Sequence, residues 1–282
     1  MAGVFEAIIY ANDLQGAVYA EPFAGGAGAG LKLLEAGHVD RIIINDADRA
    51  IFCFWWSVMH RSEEFVDRIL TTQLSIREWQ AQREIYQNKR RGRRLDLGFA
   101  AFYLNRCNRS GIIKNGGPIG GVHQSGEWKI DARFNRQTLA SRVQEISAFG
   151  ERVTVLQVDA QYFVENIETY TGGQPTFVYA DPPYYLKGRE LYLNHYADED
   201  HRAFAEAIQR QANLRWVMTY DNAPRIRELY GRANLLPFTL RYSAHHSSTE
   251  GSELLISPPG IVIPQLAKDR LSRGGFFREQ VA

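Results

Sequence analysis

A chain of 282 residues that is 45% hydrophobic and 12% aromatic can bury a sizeable core, which excludes a disordered polymer and leaves room for one large domain or a domain with a long insertion. No apolar run approaches the length of a membrane span, the N-terminus lacks a charged-then-apolar signal pattern, and the two cysteines, Cys53 and Cys107, match no metal-ligand spacing; the expectation is a cytoplasmic protein with reduced thiols and no metal. The net charge of +1 is unevenly spread: Arg77 to Arg142 carries 14 Lys or Arg against 5 Asp or Glu, a local +9 that leaves −8 to the rest. A basic segment in an acidic frame points to a polyanion, with nucleic acid first in line, although "NKRRGRR" (88–94) alone reads more simply as a solvated helix face.

In chain order, "GAVYAEPF" (16–23) reads as a buried strand entering a glycine loop, "GLKLLEAGH" (30–38) as a helix with Gly37 at its C-cap, and "RIIIND" (41–46) as a second strand. This β-loop-α-β unit opens a parallel α/β sheet. Residues 47–100 read as mostly helical, and "FYLNRCNRSGIIKNGGPIGG" (102–121), dense in Gly, Asn and Arg, as loops or hairpins rather than core. Strand patterns resume at 152–160, 176–185 and 214–222, with helices at about 198–212 and 224–230. "LLPFTLRYS" and "SELLISPP" then read as a hairpin around the polar loop "AHHSSTEG" (244–251). The expected architecture is α/β: a Rossmann-like sheet from residues 1–54 and 147–265, a helical and hairpin insertion at 55–146, and a tail at 266–282.

The loop "EPFAGGAGAG" (21–30) sits at the carboxyl end of a strand, where open α/β sheets bind ligands. Its glycines allow close approach of the backbone and expose N–H groups at a helix start. Asp46 closes the next strand, 20 residues after Gly26, where a carboxylate can accept both hydroxyls of a ribose. A dinucleotide fingerprint is not met, because Leu31 stands where the third glycine belongs, and the Lys-Ser/Thr pair of a P-loop is missing. Adenosine without a pyrophosphate fits better, with S-adenosylmethionine the obvious candidate. Asp159, at the end of "VLQVD", either accepts from the cofactor's adenine amino group or caps a helix; both readings stay open.

"YADPPYY" (179–185) ends an apolar run with a carboxylate, two prolines and two tyrosines. Pro183 lacks an N–H and forces Pro182 into an extended conformation, which fixes the direction of the Pro182 carbonyl. With Asp181 alongside, two acceptors match the two N–H bonds of an amino group and leave its lone pair aimed at an electrophile. Tyr184 offers a face for a planar ring. Such a pocket suits the exocyclic amino group of a base, which must leave the duplex to be reached.

From about Val18 to Ile261 the chain resembles the Dam-type family of adenine-specific DNA methyltransferases. The resemblance is carried by "YAEPFAGGAGAGLKLLEAG", "IIINDAD", "FYLNRCNRSGI", "DPPY" and "YDNAPRIRELY", in that order. It implies an S-adenosylmethionine-dependent enzyme that methylates the N6 amino group of adenine in a specific duplex sequence, in a bacterial or phage setting. Asp181, Pro182 and Tyr184 are then the catalytic residues. Asp46 holds the ribose, Asp159 the cofactor adenine, and Glu21, Phe23, Gly25 and Gly28 complete the cofactor site. Independently of the resemblance, the charge split leads to the expectation that the basic segment, with Arg90, Arg91, Arg93 and Arg94, grips DNA. Arg106, Asn108 and Arg109 either read bases or hold phosphates and the shape of a hairpin. The partners implied are double-stranded DNA and a cognate restriction enzyme, for a monomer. The family's usual basic, glycine-containing stretch ahead of the first strand has no counterpart in residues 1–17, which hold no Lys or Arg. This keeps open a DNA-binding protein of the same fold with weakened or lost cofactor binding. An RNA amino-methyltransferase is a third reading.

Overall fold

The computed structural model describes residues 1–89, 92–186, 196–244 and 247–272, without the side chains of 240–250. In chain order the elements are α1 (Ala2–Ala11), β1 (Val18–Glu21), α2 (Gly28–Glu35), β2 (Arg41–Asn45), α3 (Arg49–His60), α4 (Ser62–Thr71), α5 (Ile76–Gln87), α6 (Arg94–Cys107) and α7 (Arg136–Ser147). They continue with β3 (Val153–Leu156), α8 (Ala160–Glu165), α9 (Ile167–Thr171), β4 (Thr176–Ala180), α10 (Asp198–Arg210), β5 (Arg215–Asp221), α11 (Pro224–Leu229), β6 (Asn234–Ala244), β7 (Ser247–Ser257) and α12 (Gln265–Ser272). The sheet has seven strands in the order β3-β2-β1-β4-β5-β7-β6. β2, β1, β4 and β5 run parallel, and β7 and β6 close one side antiparallel, a Rossmann-like arrangement.

The chain divides into two compact units: Met1–Ala47 with the described residues from Val158 onward, and Asp48–Gln157. In the first, β1 and β4 are buried along their whole length, as strands of a sheet covered on both faces must be. Helix α1 supplies part of that cover. Its Val4, Phe5, Ile8 and Ile9 recur at helical spacing and are fully buried, and the Phe5 ring lies 4.4 Å from that of Tyr179. Helix α12 is tied to it through Arg270, which donates to the Gly3 carbonyl and pairs with Glu6. Residues 265–272, most of which fall in the stretch 266–282 set apart as a tail, form a helix docked on α1. The hairpin is also longer than its apolar pattern implied: Ala244 pairs with Ser247, so most of the polar stretch 244–251 is strand, ordered by ladder pairing rather than by apolar alternation. His245 and His246 lie outside the described residues.

The second unit is built on α3 to α7. Its limits, 48 and 157, differ from the insertion boundaries of 55 and 146 expected from the sequence. Helix α6 runs to Cys107, with Phe102, Tyr103 and Leu104 buried, so the first six residues of the stretch 102–121 are helix and core rather than loop. The apolar run "FAAFYL" carries the helix past the point where Asn and Arg begin to suggest a loop. Beyond Asn108 the chain is irregular as far as α7, apart from one 3-10 turn at Arg109–Gly111.

Candidate active site

Strand order reverses between β1 and β4. From β1 the chain turns to one side into β2, and β4 pairs on the other side with Val18 opposite Thr176 and Ala20 opposite Val178. Ligands of open α/β sheets bind outside the carboxyl ends of the strands at such a reversal. The parallel register brings the ends of β1 and β4 side by side, so the glycine loop after Glu21 and the turn beginning at Asp181 emerge next to each other.

In the glycine loop, Gly25 (φ 47°) and Ala27 (φ 46°) both take the left-handed conformation, which turns the chain back into α2. The Gly25 N–H donates to Asp46 Oδ2 at 3.0 Å, which binds the loop to the end of β2. Gly30 has no room for a side chain: a Cβ there would lie 2.8 Å from the Tyr19 ring. A Cβ at Gly28 would meet nothing within 4 Å, so the start of α2 faces open space. Glu21 is buried beneath the loop and accepts from the Tyr19 hydroxyl at 2.7 Å; burial pushes its carboxyl up to about 8.

Asn45, fully buried, fastens the neighbouring segment. Its Nδ2 donates to the carbonyls of Pro22 and Val158 at 3.0 and 3.1 Å, and its Oδ1 accepts from the Val158 N–H at 3.0 Å. Asp46 and Asp159 each follow one of these fastened residues. Asp159 caps α8, accepting from the N–H groups of Gln161 and Tyr162 at 2.9 and 3.1 Å. The Phe23 ring packs edge-on against Phe204 and Tyr196, with centroids 5.0 and 5.7 Å apart. Tyr196, which lies in no motif, has its hydroxyl pKa raised by burial and then by the charges of Asp159, Asp200 and Asp46. Glycine turn, open helix start, two carboxylates and an aromatic wall together suit an adenosine-bearing cofactor.

At the second turn, Asp181 is part-exposed and its Oδ1 accepts from Thr219 Oγ1 at 2.8 Å. Thr219 Oγ1 is also 2.8 Å from the Tyr179 hydroxyl. Pro182 is buried. Tyr184 is only 4% exposed, and its hydroxyl donates to Glu253 Oε1 on β7. Asp221, at the end of β5, accepts from the N–H groups of Tyr185 and Leu186, both at 2.8 Å, and so clamps the chain leaving the turn. Tyr185 donates to Asp198, which Arg225 grips through Nε and Nη2 at 2.8 Å each; those bonds hold the Asp198 carboxyl below its usual range. Thr219 and Glu253 carried no sequence signal, because each becomes polar support for the turn only through strand pairing.

In the second unit, Arg93 is exposed at the start of α6. The Arg94 guanidinium lies 4.9 Å above the Trp56 ring and 5.5 Å above that of Phe52. Arg106 donates twice to Asn105 Oδ1, at 3.0 and 2.6 Å. Asn108 is fully buried; its Oδ1 accepts from the Trp79 indole N–H at 2.6 Å and its Nδ2 donates to the Ile112 carbonyl at 2.7 Å. Of the two readings of Asn108, these bonds support the one in which it holds the shape of the loop, since its amide oxygen and one amide hydrogen are engaged inside the protein. Arg109 is exposed, with its backbone N–H on the Gly117 carbonyl at 3.0 Å. Arg90 and Arg91 lie outside the described residues.

No helix among the described residues is long and apolar enough to cross a membrane. A comparison with curated proteins returns no match. The model of the D12 class N6 adenine-specific DNA methyltransferase family matches residues 2–244, both turns included. The chain belongs to that family, and its reaction is the transfer of a methyl group from S-adenosylmethionine to the N6 amino group of adenine in DNA.

Proposed function

We propose that the two turns at the β1/β4 reversal divide the work of this reaction. The glycine loop with Glu21, Phe23, Gly25, Gly28, Asp46 and Asp159 holds the cofactor, and Asp181 with the Pro182 carbonyl holds the amino group of an adenine turned out of a specific duplex site. The observation that carries the reading is the parallel register of β1 and β4, which sets the ends of both strands side by side. S-adenosylmethionine supplies an electrophilic methyl group on a sulfonium. Asp181 and the Pro182 carbonyl accept the two amino hydrogens, which leaves the nitrogen lone pair pointing away from them. Asp46, anchored by Gly25, keeps acceptor capacity for ribose hydroxyls, since a carboxylate accepts several hydrogen bonds. Tyr184 closes the pocket against the base.

Replacing Asp181 with Ala removes an acceptor from the amino group and nothing from the cofactor. Methyl transfer to duplex DNA is expected to fall by about a hundredfold or more, with S-adenosylmethionine binding retained. Turnover near that of the unaltered protein would remove Asp181 from the reaction.

A further inference from the structure

Two polar side chains from adjacent strands, Tyr179 on β4 and Thr219 on β5, form a chain with Asp181 at the start of the turn after β4. Thr219 on β5 places Oγ1 2.8 Å from Asp181 Oδ1 and 2.8 Å from the hydroxyl of Tyr179 on β4. A carboxylate oxygen accepts, so the single hydroxyl hydrogen of Thr219 goes to Asp181. The Thr219 oxygen is then left as acceptor, and Tyr179 must be its donor. The hydrogen bonds therefore run one way: Tyr179 to Thr219 to Asp181.

Both supporting side chains are buried, and neither is free to swing. Val217 on β5 pairs with Tyr179 and Met218 with Ala180, so Thr219 and Asp181 fall opposite one another. Tyr179 is held from beneath by the Phe5 ring, 4.4 Å away centroid to centroid. A side chain locked at both ends by packing and pairing is what a preorganised site needs behind the group that touches substrate.

We propose that Thr219 and Tyr179 are positioning residues for methyl transfer. They fix the rotation of the Asp181 carboxylate through Oδ1 and thereby aim it at the amino group of the target adenine. The inference rests on the reading of Asp181 as acceptor of that amino group. Helix α1 enters the same arrangement, because Phe5 supports the ring whose hydroxyl starts the chain.

The test is single-turnover methyl transfer to duplex DNA, measured alongside S-adenosylmethionine binding, for Thr219→Val, Thr219→Ser, Tyr179→Phe and Asp181→Ala. Thr219→Val keeps the shape of the side chain and removes the hydroxyl. It is expected to slow transfer by about ten- to a hundredfold with cofactor affinity unchanged, and Thr219→Ser is expected to restore most of the rate. Tyr179→Phe, which removes the outer link only, should slow transfer by less than Thr219→Val. In an Asp181→Ala background Thr219→Val should have no further effect on rate, as expected of groups acting through one another. Unchanged transfer in Thr219→Val, or a Ser variant as slow as the Val variant, would overturn the proposal. Should Asp181→Ala itself turn over normally, the reading of Asp181 would fail first, and the two failures are told apart by that arm.

Discussion

Removing a hydroxyl that donates to a buried carboxyl leaves the carboxyl short of a donor, and such a loss costs about 1–3 kcal/mol. Tyr184 stands in that position. Its hydroxyl donates to Glu253, which is 1% exposed, so the group that anchors the tyrosine is the one a stacking role has no use for. Tyr184→Phe is expected to lower the unfolding free energy by about 1–3 kcal/mol while keeping a ring in place. Tyr184→Ala should lose both the anchor and the roughly 1–3 kcal/mol of one base–aromatic stack. Denaturant unfolding and binding to duplexes that carry an unpaired target adenine read these two effects separately. Equal stability of the Phe variant and the unaltered protein would mean that the Glu253 bond contributes nothing. Equal loss of base capture in the Phe and Ala variants would show that the ring face is not what the base meets. Asp181 was legible from "DPPY" because the prolines signal a fixed carbonyl beside it. Glu253 and Thr219 were not, since a Glu or Thr on an apolar strand gains its role from the neighbour that pairing gives it.

At the scale of elements, apolar periodicity and glycine made β1, β2, β4 and β5 and the loop before α2 readable. Helix α1 is harder to see in the sequence, although Val4, Phe5, Ile8 and Ile9 repeat at helical spacing: Met1 offers no capping side chain and no acidic residue marks the first turn. The loop after α6 shows the converse. Polar Asn and Arg suggest a surface that reads bases, yet Asn108 is the loop's internal post, joining Trp79 on α5 to Ile112. Asn108→Ala leaves a buried indole N–H and a carbonyl without that partner, at a cost of about 2–4 kcal/mol if both stay buried. The expected result is a lower melting temperature, with duplex binding falling for specific and scrambled sequences alike. Weaker discrimination at one base position with unchanged stability would return Asn108 to the role of reader.

For the whole molecule, charge is the property that the sequence displays most openly and the fold sorts by unit. The +9 segment, Arg77 to Arg142, lies wholly within the second unit, and the compensating acids lie outside that segment. The cations of this unit are not equivalent. Arg68 and Lys89 form ion pairs with Asp96 and Asp48, and Arg136 donates to the carbonyls of Ile69 and Thr72, so these join separate segments of the unit, while Arg142 pairs with Glu145 one turn along its own helix. Arg77, Arg93, Arg109 and Lys114 are exposed and enter no ion pair among the described residues, which makes them the better candidates for binding phosphate. Replacing those four with Gln is expected to weaken binding to all duplexes alike. It should also lower the dependence of log K on log salt by up to about four, near one for each phosphate that the protein no longer neutralises. Arg202→Gln with Arg210→Gln, on a helix of the other unit where both arginines already pair with Glu206, serves as the comparison and should leave the slope as it was. Binding isotherms over a range of salt check both. A slope that fell equally in the two variants would reflect net charge rather than direct pairing with phosphate. An unchanged slope in the four-residue variant would mean that DNA binds on another surface, because a phosphate that gives up its protein cation must take a counterion back from solution.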